Sequence, residues 1–201
     1  MKKIKLYFTA LLVLLVLNGC TNNEYAFPFI NIEEVAVACT FTGDVHLQTQ
    51  TDVDNFILTE YCTVDGNLTI GDAVSQQSDI IDLSGLAPLH KVNGFLRIRR
   101  NWELTSLNGL ENVFHVGGYL LVGSSAVENL NVFQDNPRLT SLANFNDLSI
   151  GQEIEGNGIG IRNNDALTNL NGFETISNFT GLVAVHDNDI LRDLCDLQSI
   201  F

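Results

Sequence analysis

The chain is poor in the groupings from which most catalytic sites are built. Its 4 histidines and 4 cysteines form no HExxH, no CxxC and no paired spacing, and GxSxG is absent as well. A metal hydrolase is therefore not expected at His46, His90, His115 or His186, and no cofactor is expected. Cations are scarce: 10 Lys and Arg stand against 24 Asp and Glu, a formal charge of −14. So acidic a chain repels nucleic acid and anionic membrane surfaces, and no nucleic-acid partner is expected. Nor is there an apolar run of membrane-spanning length. The longest, Leu6 to Leu17, falls short of the roughly 20 residues that a spanning helix needs.

That short run is nonetheless informative. Met1-Lys-Lys-Ile-Lys5 supplies a basic start, Leu6 to Leu17 an apolar middle, and Leu17-Asn18-Gly19-Cys20 resembles a bacterial lipobox. The resemblance implies a signal peptide over 1–19, cleavage before Cys20, and lipidation of the Cys20 thiol as a membrane tether. Thr21 in place of an aspartate favours the outer membrane. Removing the leader takes three lysines and no acid, so the remainder is more acidic still. Residues 20–38 are read as the lipidated cysteine and a tether, with Val35 and Val37 as an edge strand or part of a cap.

Export makes disulfides admissible. Cys39 and Cys62 flank the first turn of the folded region and are expected to clip it shut. The segment 39–63 is accordingly expected to cap the N-terminal end. Cys195 is left odd, its partner expected beyond Phe201, because the chain stops inside a repeat with no C-terminal cap in view.

From Val64 onward the chain repeats. Pairs of alternating aliphatics recur at Leu68/Ile70, Leu96/Ile98, Leu120/Val122, Ile159/Ile161 and Val183/Val185. Several are introduced by a valine and a glycine-containing turn: VDGN at Val64, VNGF at Val92, VGGY at Val116. After each pair, apolar residues arrive at a spacing of three, as in Leu104/Leu107/Leu110/Val113 and Leu167/Leu170/Phe173/Ile176. From Leu96 to Leu120 and from Ile159 to Val183 the interval is 24 residues.

A spacing of three fits neither an α-helix nor a strand. It fits an extended or 3₁₀-like path round a coil, with every third side chain pointing inward. A fixed period of this length is the signature of a solenoid. The expected fold is mainly β: a single-domain, right-handed parallel β-helix or leucine-rich-repeat-like solenoid over 39–201, with turns of roughly 24 residues. Asn101, Asn136, Asn164 and Asn188 each stand three residues before the leucine that opens, or nearly opens, a run of threes. They are expected to stack between turns and satisfy backbone groups. Between Val127 and Leu167 the period fails. Val127/Leu130/Phe133 reads as a further run, and a short or distorted turn is expected around Phe133 to Leu139.

The unit LxIxxNxxLxxLxxL with its VxG lead-in resembles the receptor L domain, and more closely the lipid-anchored surface proteins of Bacteroidota-type bacteria that carry such domains. The resemblance covers about Thr40 to Phe201. It implies a β-helical fold and a surface-exposed binding or adhesion role toward an extracellular protein or glycan.

If the strands form one parallel sheet, two rows of side chains face outward from it. The first is Thr69, Arg97, Leu121, Gly160 and Ala184; the second is Gly71, Arg99, Gly123, Arg162 and His186. Arg97, Arg99, Arg100 and the adjacent Trp102 make a basic-aromatic patch in an acidic chain. With Arg162 and His186 they are the candidate ligand-binding residues, suited to carboxylated or sulfated glycan. Asp72 and Asp187 are the acids expected to pair with these arginines in the alternative reading, a structural one. The first row holds no carboxylate, which argues against a β-helical polysaccharide-acting enzyme, so a non-enzymatic role is expected. An envelope spacer is the other alternative. Asp52-Val53-Asp54 and Asp187-Asn188-Asp189 lack the glycine and distal glutamate of a calcium loop and are read as turn caps. Gly156 to Gly160 is read as a turn into a strand, not a dinucleotide fingerprint.

Overall fold

Leucine and isoleucine at alternate positions, followed by threes, produce a coil with two sheets and one irregular side. The computed structural model describes residues 39–71, 78–123, 135–142, 145, 147–151, 158–176 and 179–200. All of these fall in one compact unit, Val37–Phe201. The leader, Cys20, Val35, Asp72, Val127, Leu130, Phe133 and Gly156 lie outside the described residues.

Each of the first five coils enters through a short strand, meets a glycine, and runs into a second strand. The first coil is β1 (Thr40–Thr42) then β2 (Val45–Leu47), and the next is β3 (Thr63–Asp65) then β4 (Leu68–Gly71). β5 (Lys91–Val92) leads to β6 (Leu96–Arg99), and β7 (His115–Val116) to β8 (Leu120–Val122). β9 (Ser149–Ile150) leads to β10 (Ile159–Arg162), and β11 (Val183–His186) closes the series. All pairings are parallel. One sheet runs β1-β3-β5-β7-β9, and the other β2-β4-β6-β8-β10-β11. The protein is a parallel β-solenoid of about five turns.

The first of these sheets, β1-β3-β5-β7-β9, is the surprise. Val64, Val92 and Val116 read in sequence as lead-ins to a glycine turn; they are the buried members of strands too short to alternate visibly. The glycine turn brings coils so close that no side chain fits. A Cβ on Gly117 would sit 2.2 Å from the Asn93 carbonyl, and one on Gly151 1.6 Å from that of Gly117.

The irregular side carries the threes. Leu83, Leu86 and Leu89 are buried, as are Leu104, Leu107, Leu110 and Val113. The spacing has a direct cause: Leu86 N–H donates to Leu83 O at 2.8 Å and Leu89 N–H to Leu86 O at 2.8 Å, and Val113 repeats this on Leu110. At these positions the backbone N–H of an inward residue closes a one-turn 3₁₀ bond on the carbonyl of the previous inward residue. The first coil departs from this with α1 (Gln50–Phe56), which starts at a Thr49/Asp52 capping box and buries Val53 and Phe56.

At the corner after the second sheet the asparagines form a ladder. Asn101, Asn136 and Asn164 are fully buried. Their Nδ2 groups donate to Ile70 O, Ile98 O and Val122 O of the preceding coil, each at 3.2 Å. Asn188 continues the series to Ile161 O at 2.9 Å. Ser78 bridges Asn101 from the coil before.

The stretch that breaks the period is one coil, not two. β8 pairs directly with β6 and β10, and β7 with β9, so Leu120 to Ile159 spans a single turn of 39 residues. The excess enters at two corners. Val122 to Asn136 takes 14 positions where Ile98 to Asn101 takes 3, and Ile150 to Ile159 takes 9 where Val116 to Leu120 takes 4. The short or distorted turn expected around Phe133 to Leu139 falls within this one lengthened coil, with Phe133 itself outside the described residues. Leu139, Leu142, Phe145 and Leu148 supply the inward residues of that coil.

Cys39 and Cys62 are disulfide-bonded with Cα atoms 5.1 Å apart, joining the starts of the first two coils. Cys195 is free and exposed.

Candidate functional site

The register of the second sheet places the first outward row as the alternation requires. Thr69 faces Arg97, Arg97 faces Leu121, Leu121 faces Gly160, and Gly160 faces Ala184. In the second row Gly71 faces Arg99 and Arg162 faces His186.

Outward does not mean open. Arg99, Arg100 and Arg162 are only 3%, 8% and 6% exposed, and Thr69 and Leu121 are buried too. The expectation of a free arginine-lined platform is corrected on this point. Glycine explains part of the covering. A Cβ on Gly160 would lie 2.8 Å from Leu121 Cδ1 and 3.7 Å from Arg162 Nε, so its absence lets both side chains fold over the strand. Arg162 keeps Nε without a hydrogen-bond partner. Burial pushes its pKa below the ordinary arginine value, and the Asp187 carboxylate opposes that shift.

The candidate residues do not converge. Arg97 and Arg162 stand two strands apart, about 10 Å at the usual inter-strand spacing, and His186 lies a strand further. His186 Nδ1 is 2.7 Å from Asp187 Oδ2, at the edge of the sheet. Trp102 is exposed in the turn just past Asn101.

What does converge is a cluster around Arg97. Phe95 and Tyr119 stand one coil apart, each immediately before the first strand leucine. Their rings stack with centroids 4.9 Å apart and planes 11° apart. The Arg97 guanidinium lies over the Phe95 ring at 4.8 Å from its centroid and 5.9 Å from that of Tyr119. Its Nη2 donates to Tyr119 Oη at 2.6 Å. Arg97, Phe95 and Tyr119 are all half-buried. Among the described residues no carboxylate forms an ion pair with Arg97; the described pairs are Arg138–Glu103 and His186–Asp187.

Phe95 and Tyr119 escape a reading of the VxG lead-ins as turns alone. Their 24-residue interval equals the repeat, and both sit in those lead-ins. A period-matched pair of aromatics before β6 and β8 is the signal that could have found them.

Elsewhere, His115 sits between Lys91 and Ser149 on the outer face of the first sheet. Burial, and then the neighbouring Lys91 charge, lower its pKa. No group of three or more His, Cys, Asp or Glu among the described residues is arranged to hold a metal ion. No described helix is long and apolar enough to cross a membrane. No protein family, curated protein or solved structure matches the chain.

Proposed function

We propose that this solenoid is a non-catalytic binding or adhesion module of the bacterial cell envelope, held at the outer membrane through a lipid on Cys20 and facing outward. Its ligand is an extracellular protein or glycan. The supporting observation is Arg97: a guanidinium set beside two stacked rings and hydrogen-bonded to one of them, with no ionic partner among the described residues, in a chain with 24 acids and 10 Lys and Arg. Holding a cation rigid and leaving its charge uncompensated lowers the ordering cost of meeting a ligand. The disulfide between Cys39 and Cys62 accords with an exported chain. The resemblance of the repeat unit to receptor L domains points the same way.

The test is a screen of the purified chain against glycans and extracellular proteins, repeated with Arg97→Ala. A ligand whose binding weakens in the variant supports the proposal; no ligand for either chain refutes it.

A second reading, an envelope spacer, draws on one observation. Arg99 and Arg162, two of the three outward arginines, are buried, and so is Arg100 beside them. The same screen decides between the two, because a spacer has no specific ligand.

A further inference from the structure

We infer that the Arg97–Tyr119 pair takes a single carboxylate carried by an otherwise neutral saccharide. This rests on the binding-module reading above and narrows it to one ligand chemistry. Three features of the cluster set that chemistry.

The first is the direction from which Arg97 is approached. Its Nε is enclosed and has no hydrogen-bond partner, so the side-on Nε/Nη2 fork is closed to a ligand. The terminal Nη1/Nη2 edge is what remains. Nη2 is already engaged with Tyr119 Oη at 2.6 Å. That phenol oxygen accepts from Arg97, so its own proton is left for another acceptor, and no described residue takes it. A guanidinium edge and a phenol O–H side by side offer donors to a group with two acceptor oxygens in one plane, which describes a carboxylate.

The second is the surface around it. The half-buried edges of the Phe95 and Tyr119 rings lie beside these donors and provide apolar ground for the C–H groups of a sugar.

The third is the charge of the whole chain. With 24 acids to 10 Lys and Arg, the protein repels densely charged polymers, whereas one local cation still attracts one anion at close range. A polysulfated chain is disfavoured by the long-range field; an isolated uronate is not.

The test is a titration of the full chain, followed by nuclear magnetic resonance, with four probes: methyl β-glucuronide, its methyl ester, methyl β-glucoside, and heparin. The glucuronide should bind about tenfold or more tightly than the ester and the glucoside, and more tightly than heparin. Arg97→Ala should cost about tenfold or more, Arg97→Lys should recover only part of it, and Tyr119→Phe should cost several-fold. Lys91→Ala, on the other sheet, should change nothing. Should Arg97→Ala fail to fold, Arg97→Lys and Tyr119→Phe carry the comparison. Equal binding of acid and ester, unchanged binding in the Arg97 and Tyr119 variants, or tighter binding of heparin would overturn the carboxylate assignment. Failure of all four probes would overturn it too. The binding-module reading would survive each of these outcomes if the wider screen still found a ligand sensitive to Arg97.

Discussion

Asn136 Nδ2 donates to Oδ1 of Asn164, one coil further on, at 2.9 Å, and the same nitrogen reaches Ile98 O one coil back at 3.2 Å. One amide thus ties three coils together where the chain leaves the second sheet. Both asparagines are fully buried, so neither side chain has water to fall back on.

Replacing Asn136 with alanine removes these donors. It also removes the Oδ1 that accepts from the Asn101 backbone N–H at 3.2 Å. Buried groups left unsatisfied make this costly, about 3 kcal/mol. Asn188 ends the ladder half-buried, with solvent nearby, and its alanine variant should lose about 1 kcal/mol. Urea denaturation of the two variants measures the difference. Equal losses would mean that the ladder contributes nothing beyond a single bond.

Most of this scaffold is readable from spacing alone. Leu96/Ile98 announces a strand, Leu104 to Val113 a path of threes, and Asn101 and its successors a ladder, because each depends on one local period repeated. Three features are not readable. Val92 and Val116 belong to strands of two residues, too short to show alternation. Ser78 takes a ladder position without being an asparagine. The burial of Arg99 and Arg162 depends on what lies over the sheet, which no period reports. Strand parity tells which way these arginines point, and nothing about whether water reaches them.

The Cys39–Cys62 bridge closes a sequence separation of 23 residues around the first coil. A loop of that size corresponds to about 3 kcal/mol of stabilisation through the unfolded chain. Cys39→Ser with Cys62→Ser should therefore lower stability by roughly that amount. The loss should be local: amide exchange should quicken first in β1 and α1 and least in β8 and β10. Uniform acceleration would show instead that the coils unfold as one.

Stability should also fall in mild acid through His115. Its folded pKa lies below the ordinary value of 6.5, from burial first and then from Lys91. The unfolded chain therefore takes up a proton at a pH where the folded chain does not, and stability decreases as pH drops. The contribution is intact above 6.5 and is lost progressively from there down to the folded pKa. Melting temperatures of the wild type and His115→Gln across this window give the comparison. The variant should show the shallower decline, and parallel curves would exclude His115.

The proposed anchor predicts fractionation. Cys20→Ser should move the protein from the membrane to the soluble fraction without changing the melting of the solenoid, because Cys20 lies well before the first strand, β1 at Thr40–Thr42, in the sequence. Retention in the membrane fraction would refute lipid attachment at that residue.

Gly123 and Gly43 separate two reasons for glycine in a turn. Both have positive φ, +105° and +121°, so any side chain at either is strained by about 1–2 kcal/mol. Their surroundings differ. A Cβ on Gly43 meets nothing nearer than Phe41 Cε1 at 3.6 Å, an ordinary contact. At Gly123 it would lie 1.7 Å from Arg162 O, in the strand of the next coil, and backbone cannot step aside without breaking the β8–β10 pairing. Gly43→Ala should then cost only the backbone strain. Gly123→Ala should cost that strain plus a forced separation of coils, about 3 kcal/mol or more in total. Denaturation midpoints decide the matter, and similar losses at the two positions would mean that the coils have room to part.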